Sequence, residues 1–351
     1  MDLYTKDGYA DMSKIMALPY PFIFCVGGRG TGKTYGACKT LLDQADNQQF
    51  LFLRRTAEEA DLISTTDFSP FAPVIADNPQ YGLLYSGTIP HVKAVNACWR
   101  GTVNEDGKLV ATGDPIGYYG ALTTIHKTRG FSMAKVKVVL YDEFQPEAHV
   151  HAMRNEGDAF LNMVETVGRN RELKEEEPLK VVCLSNANKL SSPIFQALGI
   201  MDKVDRMLMK DKTISLMEER GIALIRLTDS PISNRKAATS LYRAARSQDF
   251  VDMALKNDYD RTTYMYIAQE PIEEYKIIAS FDDEIYIYRH KSKPRYYVSR
   301  HKSGTPAYAY SSEEMSVKRM KRQQLKFFDA WLRGSVSFED YYCKYLLTNV
   351  L

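Results

Sequence analysis

One segment, Gly27–Thr34, constrains the fold of this chain more than any other feature. It reads Gly-Gly-Arg-Gly-Thr-Gly-Lys-Thr and matches the complete G-x-x-x-x-G-K-[ST] phosphate-binding loop. An apolar run at 22–26 precedes it, and a run with helical periodicity at 33–46 follows it. This order of strand, loop and helix predicts an α/β fold whose loop N–H groups and helix N-terminus surround a phosphate.

The loop also predicts how a nucleoside triphosphate is held. Lys33 can reach the β- and γ-phosphates, and the hydroxyl of Thr34 can ligate Mg²⁺. ATP and Mg²⁺ are therefore the predicted cofactors. The residues expected to contact the nucleotide are Gly27, Gly28, Arg29, Gly30, Thr31, Gly32, Lys33 and Thr34.

A second acidic element completes the predicted nucleotide site. The apolar run 136–141 predicts a buried strand, and Asp142 and Glu143 follow it, about 110 residues after the loop. An aspartate at the end of such a strand can hold Mg²⁺, and a glutamate beside it can orient or deprotonate the attacking water. Because a kinase should not activate water, this pair favours a hydrolase.

A third apolar run, 179–184, leads to Asn186. An amide at the tip of a strand beside the loop strand can touch the γ-phosphate or its attacking water; an Asx-turn that closes the strand is the other interpretation. A GTPase is disfavoured because Ser191 stands where the guanine-reading N-K-x-D motif requires aspartate.

Two arginines follow the predicted helix 154–167. Arg169 directly follows Gly168 at the end of that helix, and Arg171 comes two residues later. They are either cations that stabilise the helix C-terminus or arginine fingers that reach a neighbouring subunit's nucleotide. The residues alone leave both interpretations open.

The order of the elements predicts three parts: a nucleotide-binding domain at 1–230, a helical linker at 231–258 and an α+β domain at 259–351. In the first part, alternating strands and helices favour a parallel sheet covered on both faces. Residues 81–124 read as antiparallel hairpins, and 201–221 as a small helical lid. Near the C-terminus we expect helices at 313–332 and 337–348, with Ser312 and Ser337 as N-caps.

Composition bounds the class of protein. Hydrophobic residues make up 44% and charged residues 26% of the 351 residues, as in soluble globular proteins. No apolar run approaches the length of a membrane span, and the N-terminus lacks a signal-peptide layout. The five cysteines are scattered, so we expect reduced thiols in a cytosolic protein.

The positive charges are unevenly distributed although the net charge is only +2. Eleven basic residues lie between Arg289 and Lys326, opposed only by Glu313 and Glu314. Such a segment suits a polyanionic partner, but a solvated basic face fits equally well.

Two other chemistries are disfavoured. The acidic cluster 282–284 lies at a predicted hairpin turn, whereas a two-metal nuclease needs carboxylates from separate elements. His149 and His151 have no nearby cysteine or third histidine, so a metal site is not expected there.

Taken together, the separated motifs resemble the DNA-packaging ATPases, or encapsidation proteins, of small podoviruses with protein-primed genomes. The matching segments are 27–34, the second strand 49–55 with its two arginines, 140–144, 164–172 and 183–187. Arg129 and the two residues after it match the large-terminase pattern. The resemblance covers residues 20–230 and implies a P-loop NTPase of the additional-strand class. It also implies a C-terminal domain similar to a degenerate RNase H-like nuclease that binds nucleic acid.

The resemblance implies a function and several roles. It implies that ATP hydrolysis drives double-stranded DNA through a homomeric ring, a pentamer, at the portal of a prohead, and that a structural RNA joins the motor in some relatives. It implies that Glu143 activates water, that Asp142 holds the metal and that Arg169 acts in trans, with Arg129 and Arg171 as further trans-acting residues. Such a protein works in the host cytoplasm, docks transiently on the prohead and is absent from the mature virion.

Three other functions share parts of this pattern. A helicase or conjugation-type DNA pump would use the same core, and an ATP-gated nucleic-acid-binding subunit would bind ATP with little turnover. A small-molecule kinase is disfavoured by the pair Asp142 and Glu143.

Overall fold

The computed structural model describes residues 2–65, 68–128, 130–145, 153, 155–186, 192–228, 230–232, 235, 238–244 and 266–350. The chain divides into two compact units, Met1–Asp260 and Arg261–Leu351. The predicted linker at 231–258 falls mostly outside the described residues, so its helical character stays a prediction.

Unit 1 is built on a nine-stranded sheet in the order β3-β4-β5-β2-β6-β7-β1-β9-β8. The strands are β1 Phe22–Gly27, β2 Gln49–Arg54, β3 Leu83–Ile89, β4 Val92–Val103, β5 Leu109–Ala121, β6 Val136–Asp142, β7 Lys180–Asn186, β8 Ile214–Met217 and β9 Ile222–Leu227.

The centre of this sheet is parallel, as predicted. The strands from β5 to β9 in the sheet order all pair in parallel. Apart from the exposed first half of β5, these strands are almost wholly buried, since helices cover both faces. Strand β7 lies between β1 and β6, which is the arrangement of the additional-strand class. The carboxyl ends of β1, β7, β6 and β2 therefore meet at one edge, where a ligand is expected.

The segment 81–124 forms the expected antiparallel hairpins but does not stand apart from the sheet. Strand β4 pairs antiparallel with β3 and β5, and β5 then pairs in parallel with β2. The insertion thus extends the main sheet by three strands. The buried pattern at the end of β5, where Tyr118 and Tyr119 lie, explains why that strand joins the core.

Seven helices of unit 1 are described up to residue 209, followed by a short one at 240–244. They are α1 Met12–Met16, α2 Lys33–Gln44, α3 Ala57–Ile63, α4 Ala72–Asp77, α5 Glu156–Gly168, α6 Pro193–Ala197, α7 Met201–Met209 and α8 Ser240–Ala244. Helix α3 begins with a capping box, in which Thr56 and Glu59 satisfy each other's backbone N–H groups.

The prediction of a helical lid at 201–221 was wrong in its second half. Helix α7 ends at Met209, and β8 then pairs antiparallel with β9 at the sheet edge. Ser215 and Leu216 pair with Leu224 and Ala223. A strand of four residues is too short to show a clear alternation, so the sequence gives little warning of it.

In its described residues, 266–350, unit 2 contains a five-stranded sheet and three helices. Its strands are β10 Tyr275–Phe281, β11 Ile285–His290, β12 Tyr296–Ser299, β13 Tyr308–Tyr310 and β14 Val336–Phe338; its helices are α9 Glu314–Gln323, α10 Leu325–Leu332 and α11 Tyr341–Val350. Strands β10, β11 and β12 are antiparallel and β13 pairs in parallel with β10. This core order matches an RNase H-like sheet, while β14 beside β12 is an addition.

The two C-terminal helix predictions needed correction. The expected helix 313–332 is interrupted at Gln324, whose φ and ψ of −110° and 36° are not helical. Ser337 is not an N-cap, because it lies inside β14 between the buried Val336 and Phe338. Asp340 caps α11 instead by accepting a hydrogen bond from the backbone N–H of Cys343. Ser312 does not cap α9 either, since its hydroxyl donates to Asp282.

All five cysteines are buried and unpaired, as expected of core thiols. Among the helices that the structure describes, none combines the length and apolar character needed to cross a bilayer.

Candidate nucleotide-binding site

The loop between β1 and α2 has the backbone that a phosphate cradle requires. Gly30 and Gly32 adopt φ values of +70° and +83°, which side chains other than glycine rarely tolerate. A Cβ added at Gly32 would lie 3.0 Å from the ring of Tyr9. The loop therefore needs glycine at this position for both conformation and space.

Lys33 is folded back onto its own loop. Its Nζ donates to the carbonyl oxygens of Gly27 and Gly28 at 3.0 and 2.8 Å, and lies 3.3 Å from the hydroxyl of Thr31. The side chain is almost fully buried. The ammonium thus lies within the cradle, where a phosphate oxygen can replace the carbonyl contacts.

Thr34 and Asp142 form the predicted metal-binding pair. The Thr34 hydroxyl donates to Asp142 Oδ1 at 3.0 Å, although the two residues are 108 positions apart. Burial raises the pKa of Asp142 above its usual value, because the desolvated carboxylate is only partly compensated by Arg54. A buried carboxylate and a hydroxyl are hard oxygen ligands, so this pair fits Mg²⁺.

Glu143 is held by an arginine that the sequence analysis assigned no role. Arg54 Nη1 lies 2.8 Å from Glu143 Oε2 and 3.4 Å from Asp142 Oδ2. Its N–H groups do not aim at these oxygens, so the contact is an ion pair without hydrogen-bond geometry. Glu143 also adopts φ of +55°, a left-handed conformation that costs roughly 1–2 kcal/mol outside glycine. Arg54 ends β2, next to β6, and that placement is the signal that could have identified it.

Asn186 lies where the sequence analysis expected it. It ends β7 opposite Gly27, and its Oδ1 is 3.4 Å from Lys33 Nζ. With the loop, Asp142 and Glu143 it lines one cavity of about 430 Å³. The structure therefore brings Lys33, Thr34, Asp142, Glu143 and Asn186 together around one space.

A buried ion pair supports this edge of the sheet. Arg55 donates to both carboxylate oxygens of Glu156 at 2.9 and 3.2 Å, and Glu156 is fully buried at the start of α5. The backbone N–H of Met153 donates to the same carboxylate. Of the two neighbouring arginines, Arg54 thus pairs with the two acids that line the cavity, and Arg55 anchors α5.

Arg169 lies far from the nucleotide cavity of its own chain. Helix α5 starts beside Arg55 at the ligand edge and runs for 13 residues, about 20 Å, before Arg169. The guanidinium is exposed and donates to the carbonyl oxygen of Phe131 at 2.6 Å. An action of Arg169 on ATP would therefore have to be on another chain's nucleotide, and that role stays a prediction.

The structure argues against Arg171 as a trans-acting residue. Its guanidinium donates to the carbonyl oxygens of Gly168, Val136 and Val167 in its own chain. The side chain is buried, and burial lowers its pKa. Arg171 fastens the end of α5 to the start of β6 and cannot reach out without breaking these bonds. Arg129, like His149 and His151, lies outside the described residues.

The acidic turn of unit 2 (Asp282, Asp283 and Glu284) is occupied by contacts within the unit. Asp282 accepts from the backbone N–H of Ser312, Tyr286 donates to Asp283, and Tyr342 donates to Glu284. Strand β10 and the edge strand β13 beside it contain no carboxylate. Among the described residues no group of three potential metal ligands occurs. All three carboxylates of the turn are thus engaged within unit 2, and the absence of a nuclease centre stays a prediction.

The basic segment of unit 2 is partly neutralised. Lys302 and Lys318 form ion pairs with Asp283 and Glu314, and Arg300 lies near Asp340. Arg319 lies over the ring of Tyr310, which stacks on the exposed Tyr308. The segment is therefore neither wholly a free cationic surface nor wholly a salt-bridged face.

Comparison with known proteins identifies the family. Residues 105–318 match the model of the podovirus DNA encapsidation protein (Gp16) family. The DNA packaging proteins of Bacillus phages PZA and phi29 are each 24% identical over 266 residues, which is 75% of this chain and 69% of theirs.

Solved structures show the same fold over both units. A chain of the bacteriophage Phi-29 viral genome packaging motor assembly matches with a TM-score of 0.68 and 16% identity over all of both chains. The Phi-28 gp11 DNA packaging motor matches with a TM-score of 0.62 and 18% identity over 99% of this chain and 97% of that one. The phosphate cradle, the inserted strand β7 and the acidic pair at the end of β6 thus occur in a chain that belongs to the podovirus DNA encapsidation protein family.

Proposed function

We propose that this protein is the ATP-hydrolysing subunit of a motor that drives double-stranded viral DNA into a prohead. The observation that carries the proposal is the convergence of Lys33, Thr34, Asp142 and Glu143 on one cavity at the ligand edge of the sheet. The relatives named DNA packaging proteins support the packaging of DNA as the process that this hydrolysis drives.

The geometry suggests how the residues divide the chemistry. Lys33 exchanges its carbonyl contacts for the β- and γ-phosphate oxygens of ATP. Thr34 and Asp142 would hold Mg²⁺, which would supply positive charge to neutralise the phosphates. Asn186, next to Lys33, is placed to touch the γ-phosphate.

Glu143 is the general base of this proposal, and Arg54 restrains it. The ion pair keeps the carboxylate of Glu143 against Arg54, with Oε2 2.8 Å from Nη1. Water activation therefore requires Glu143 to leave Arg54 and turn toward the γ-phosphate. The left-handed backbone of Glu143 favours such a change. The ion pair offsets part of the strain in this conformation, so the backbone can relax when Glu143 leaves Arg54.

The assembly is also part of the proposal. A homomeric ring at the portal, a pentamer in our view, would bring Arg169 of one subunit to the nucleotide of the next, where a cation stabilises charge on the transferred phosphoryl group. Double-stranded DNA and the portal are the expected partners, and a structural RNA is a further one. The protein would act in the host cytoplasm, docked on the prohead, and be absent from the mature virion.

The test is phosphate release by the purified chain, alone, with duplex DNA, and with DNA and proheads. We expect little hydrolysis by the isolated chain and stimulation by both additions, together with DNA protected inside the prohead. Strand separation without proheads would indicate a helicase instead. ATP binding without turnover in any of the three conditions would reduce the protein to an ATP-gated binding subunit.

A mixed ring tests Arg169. Rings of Arg169→Ala subunits should be inactive, as should rings of Glu143→Gln subunits. Mixing the two should restore some hydrolysis, because a Glu143→Gln subunit can lend its arginine to an Arg169→Ala neighbour. Mixtures that stay inactive would remove Arg169 from the trans role.

A further inference from the structure

The two most exposed large hydrophobic side chains among the described residues belong to different units. Leu332, the last residue of α10, is 87% exposed, and Leu173, five residues after the end of α5, is 82% exposed. Single exposed leucines are common on protein surfaces, so their exposure alone assigns neither of them a partner. What distinguishes these two leucines is the pattern of charge around each.

Leu173 lies on a hydrogen-bonded turn, residues 172–177, which we call the Leu173 turn. The turn begins next to the buried Arg171, whose carbonyl oxygen accepts from the backbone N–H groups of Lys174 and Glu176 at 2.9 and 3.0 Å. All six side chains of the turn are exposed. Because the guanidinium of Arg171 is bonded to α5 and β6, the turn presents Leu173 at a fixed place on unit 1.

The Leu173 turn is acidic, with one exception. Its other five residues are four glutamates and one lysine, Lys174. In the part of the chain that the structure describes, Glu176 is 3.8 Å from Lys137, and the other three glutamates form no ion pair. The turn therefore combines an exposed leucine, unpaired negative charges and a single positive charge.

The outward face of α10 also carries exposed leucines. Leu325 and Leu332 are seven positions apart, so they lie on the same side of the helix, and Leu325 is 64% exposed. Phe327 and Ala330, on the opposite side, are buried in the core of unit 2. We call the outward side, with Leu325, Leu332 and the charged residues beside them, the α10 face.

The charges of the α10 face are the inverse of those of the Leu173 turn. An exposed basic residue follows each leucine, Lys326 after Leu325 and Arg333 after Leu332, and the exposed Asp329 lies between them. In the described part of unit 2 none of these three charged residues forms an ion pair, unlike Lys302 and Lys318. The α10 face thus combines exposed leucines, unpaired positive charges and a single negative charge.

The two surfaces are complementary in both apolar and charged groups. Contact between them would remove the leucines from water and would bring Lys326 and Arg333 to the glutamates of the turn. It would also offer Lys174 to Asp329, so the one exception on each surface finds its opposite on the other. An apolar centre with charged residues at its rim is the usual composition of a protein–protein interface.

We propose that the α10 face binds the Leu173 turn of a second copy of this chain. Because the two surfaces differ, the contact is heterologous: each subunit offers its turn to one neighbour and its α10 face to the other, as in a ring. The inference rests on the proposed assembly from identical subunits. Leu173 is four residues after Arg169, so this contact would hold the Arg169 end of α5 at the boundary between subunits, where the trans role needs it.

A nucleic acid is the competing partner of the α10 face, because Lys326 and Arg333 could contact phosphates. Such a partner would leave both leucines in water and would be repelled by Asp329. It would also leave the exposed leucine of the acidic Leu173 turn without a partner. A second copy of the chain accounts for both surfaces at once.

The experiment is disulfide cross-linking between two separately purified and differently tagged chains. One chain carries Leu173→Cys and the other Leu332→Cys, and the heterodimer is measured after mixing and mild oxidation. The matched control uses Leu216→Cys, at an exposed leucine of β8 in the same unit, in place of Leu173→Cys. The five native cysteines are buried, so they contribute little background.

Each mixture is measured alone and with DNA and proheads, because a ring can require its docking site to form. Neighbouring charges change the reactivity of a thiol, so each yield is divided by the rate at which that thiol reacts with a small neutral disulfide. Thermal unfolding shows whether each variant is folded. We expect the heterodimer yield to exceed that of the control by roughly tenfold, because contact raises the effective concentration of the two thiols.

A charge swap tests the pairing itself. Glu172→Lys with Glu175→Lys in the Leu173→Cys chain should lower the yield about tenfold, because like charges then face each other. Lys326→Glu with Arg333→Glu in the Leu332→Cys chain should do the same. Combining the two reversed chains should restore the yield, because opposite charges face each other again.

Three results would overturn the proposal. The first is a yield equal to that of the Leu216→Cys control in every condition, and the second is a charge swap that neither lowers nor restores the yield. The third is a short DNA or RNA duplex that shields the Leu332→Cys thiol and lowers the yield without proheads, which would assign the α10 face to nucleic acid. Failure of the proposed function is distinguishable, because the cross-link would form while wild-type protein released no phosphate from ATP with DNA and proheads.

Discussion

Two acidic clusters follow strands in this protein, and they have opposite surroundings. Asp142 and Glu143 at the end of β6 face a cavity that also contains Lys33 and Thr34. The acidic turn of unit 2 follows β10, and its carboxylates are bonded to side chains and N–H groups of the same unit. The local sequences are similar, so the difference comes from what the fold places next to them.

The comparison shows what makes carboxylates available for chemistry. In unit 1 a parallel sheet brings the ends of several strands to one edge, so cations and hydroxyls from distant positions surround the acids without filling the space between them. In unit 2 an antiparallel hairpin turn extends away from the sheet, and its acids bond to their nearest neighbours. The first arrangement leaves room for a ligand and the second does not.

The largest expected effect is on ATP hydrolysis, and it distinguishes the acidic pair of unit 1 from the acidic turn of unit 2. Glu143→Gln should lower ATP hydrolysis by about 10²–10⁴-fold because it removes the general base, while ATP binding persists. Glu284→Gln, the same change in unit 2, should leave hydrolysis unchanged. The measurement is phosphate release with DNA and proheads; equal losses in both variants would erase the distinction.

The next effect concerns stability. Glu156→Ala should destabilise unit 1 by about 3–5 kcal/mol, since it leaves the buried Arg55 without its partner. Lys302→Ala removes a half-exposed ion pair from the acidic turn of unit 2 and should cost less than about 1 kcal/mol. Urea unfolding followed by circular dichroism measures both. A small effect at Glu156 would mean that the ligand edge does not depend on this pair.

A smaller effect tests the restraint on Glu143. Arg54→Ala should raise the rate of ATP hydrolysis by the isolated chain about fivefold, because Glu143 is released. A fivefold change in rate corresponds to about 1 kcal/mol, which is the interaction energy of a partly exposed ion pair. Arg54→Lys keeps a positive charge and should lie between the two. A fall in basal hydrolysis in Arg54→Ala would show that the arginine assists the reaction and does not restrain it.

The smallest effect concerns the buried charge of Asp142. The pKa of Asp142 in the folded protein lies above the unfolded value of 3.8, so between these two pKa values the folded form binds more protons at Asp142 than the unfolded form. The free energy of unfolding of the wild type therefore falls as the pH rises through this range. Asp142→Asn should therefore raise the midpoint temperature of unfolding slightly at neutral pH without Mg²⁺. In acid, where the wild-type carboxyl is protonated, the variant and the wild type should unfold at similar temperatures.

Mg²⁺ should have the converse effect, stabilising the wild type but not Asp142→Asn. Asp283→Asn, with an exposed carboxylate, should follow the wild type in both respects. Scanning calorimetry over a series of pH values, with and without Mg²⁺, measures these shifts. A lower midpoint for Asp142→Asn at neutral pH would contradict the expectation.

The parts of the fold that were predictable are those specified locally. The glycine pattern at 27–34 specifies its own turn. A largely apolar run such as 136–141 predicts a buried strand or helix. The positions of Asp142 and Asn186 follow from the rule that parallel strands end at one edge. These residues were therefore identified from the sequence.

The missed features depend on partners distant in sequence. Nothing around Arg54 shows that it reaches Glu143 while Arg55 turns to Glu156; the pairing of β2 with β6 decides both. Likewise, Ser337 resembles a helix cap until β12 supplies a strand for Val336 and Phe338 to pair with. The sequence leaves Arg171 open between a cation at a helix C-terminus and an arginine finger, and only its bonds to the carbonyl groups at the end of α5 and the start of β6 favour the first.

The inward fold of Lys33 has a consequence for selectivity. Any ligand must first displace an ammonium already coordinated by two backbone oxygens, so a small anion that offers a single contact gains little from the exchange. A chain of three phosphates replaces those oxygens and adds amide contacts along the loop. The site is thus expected to rank nucleotides by phosphate number, with free phosphate and monophosphates the poorest competitors in the cell.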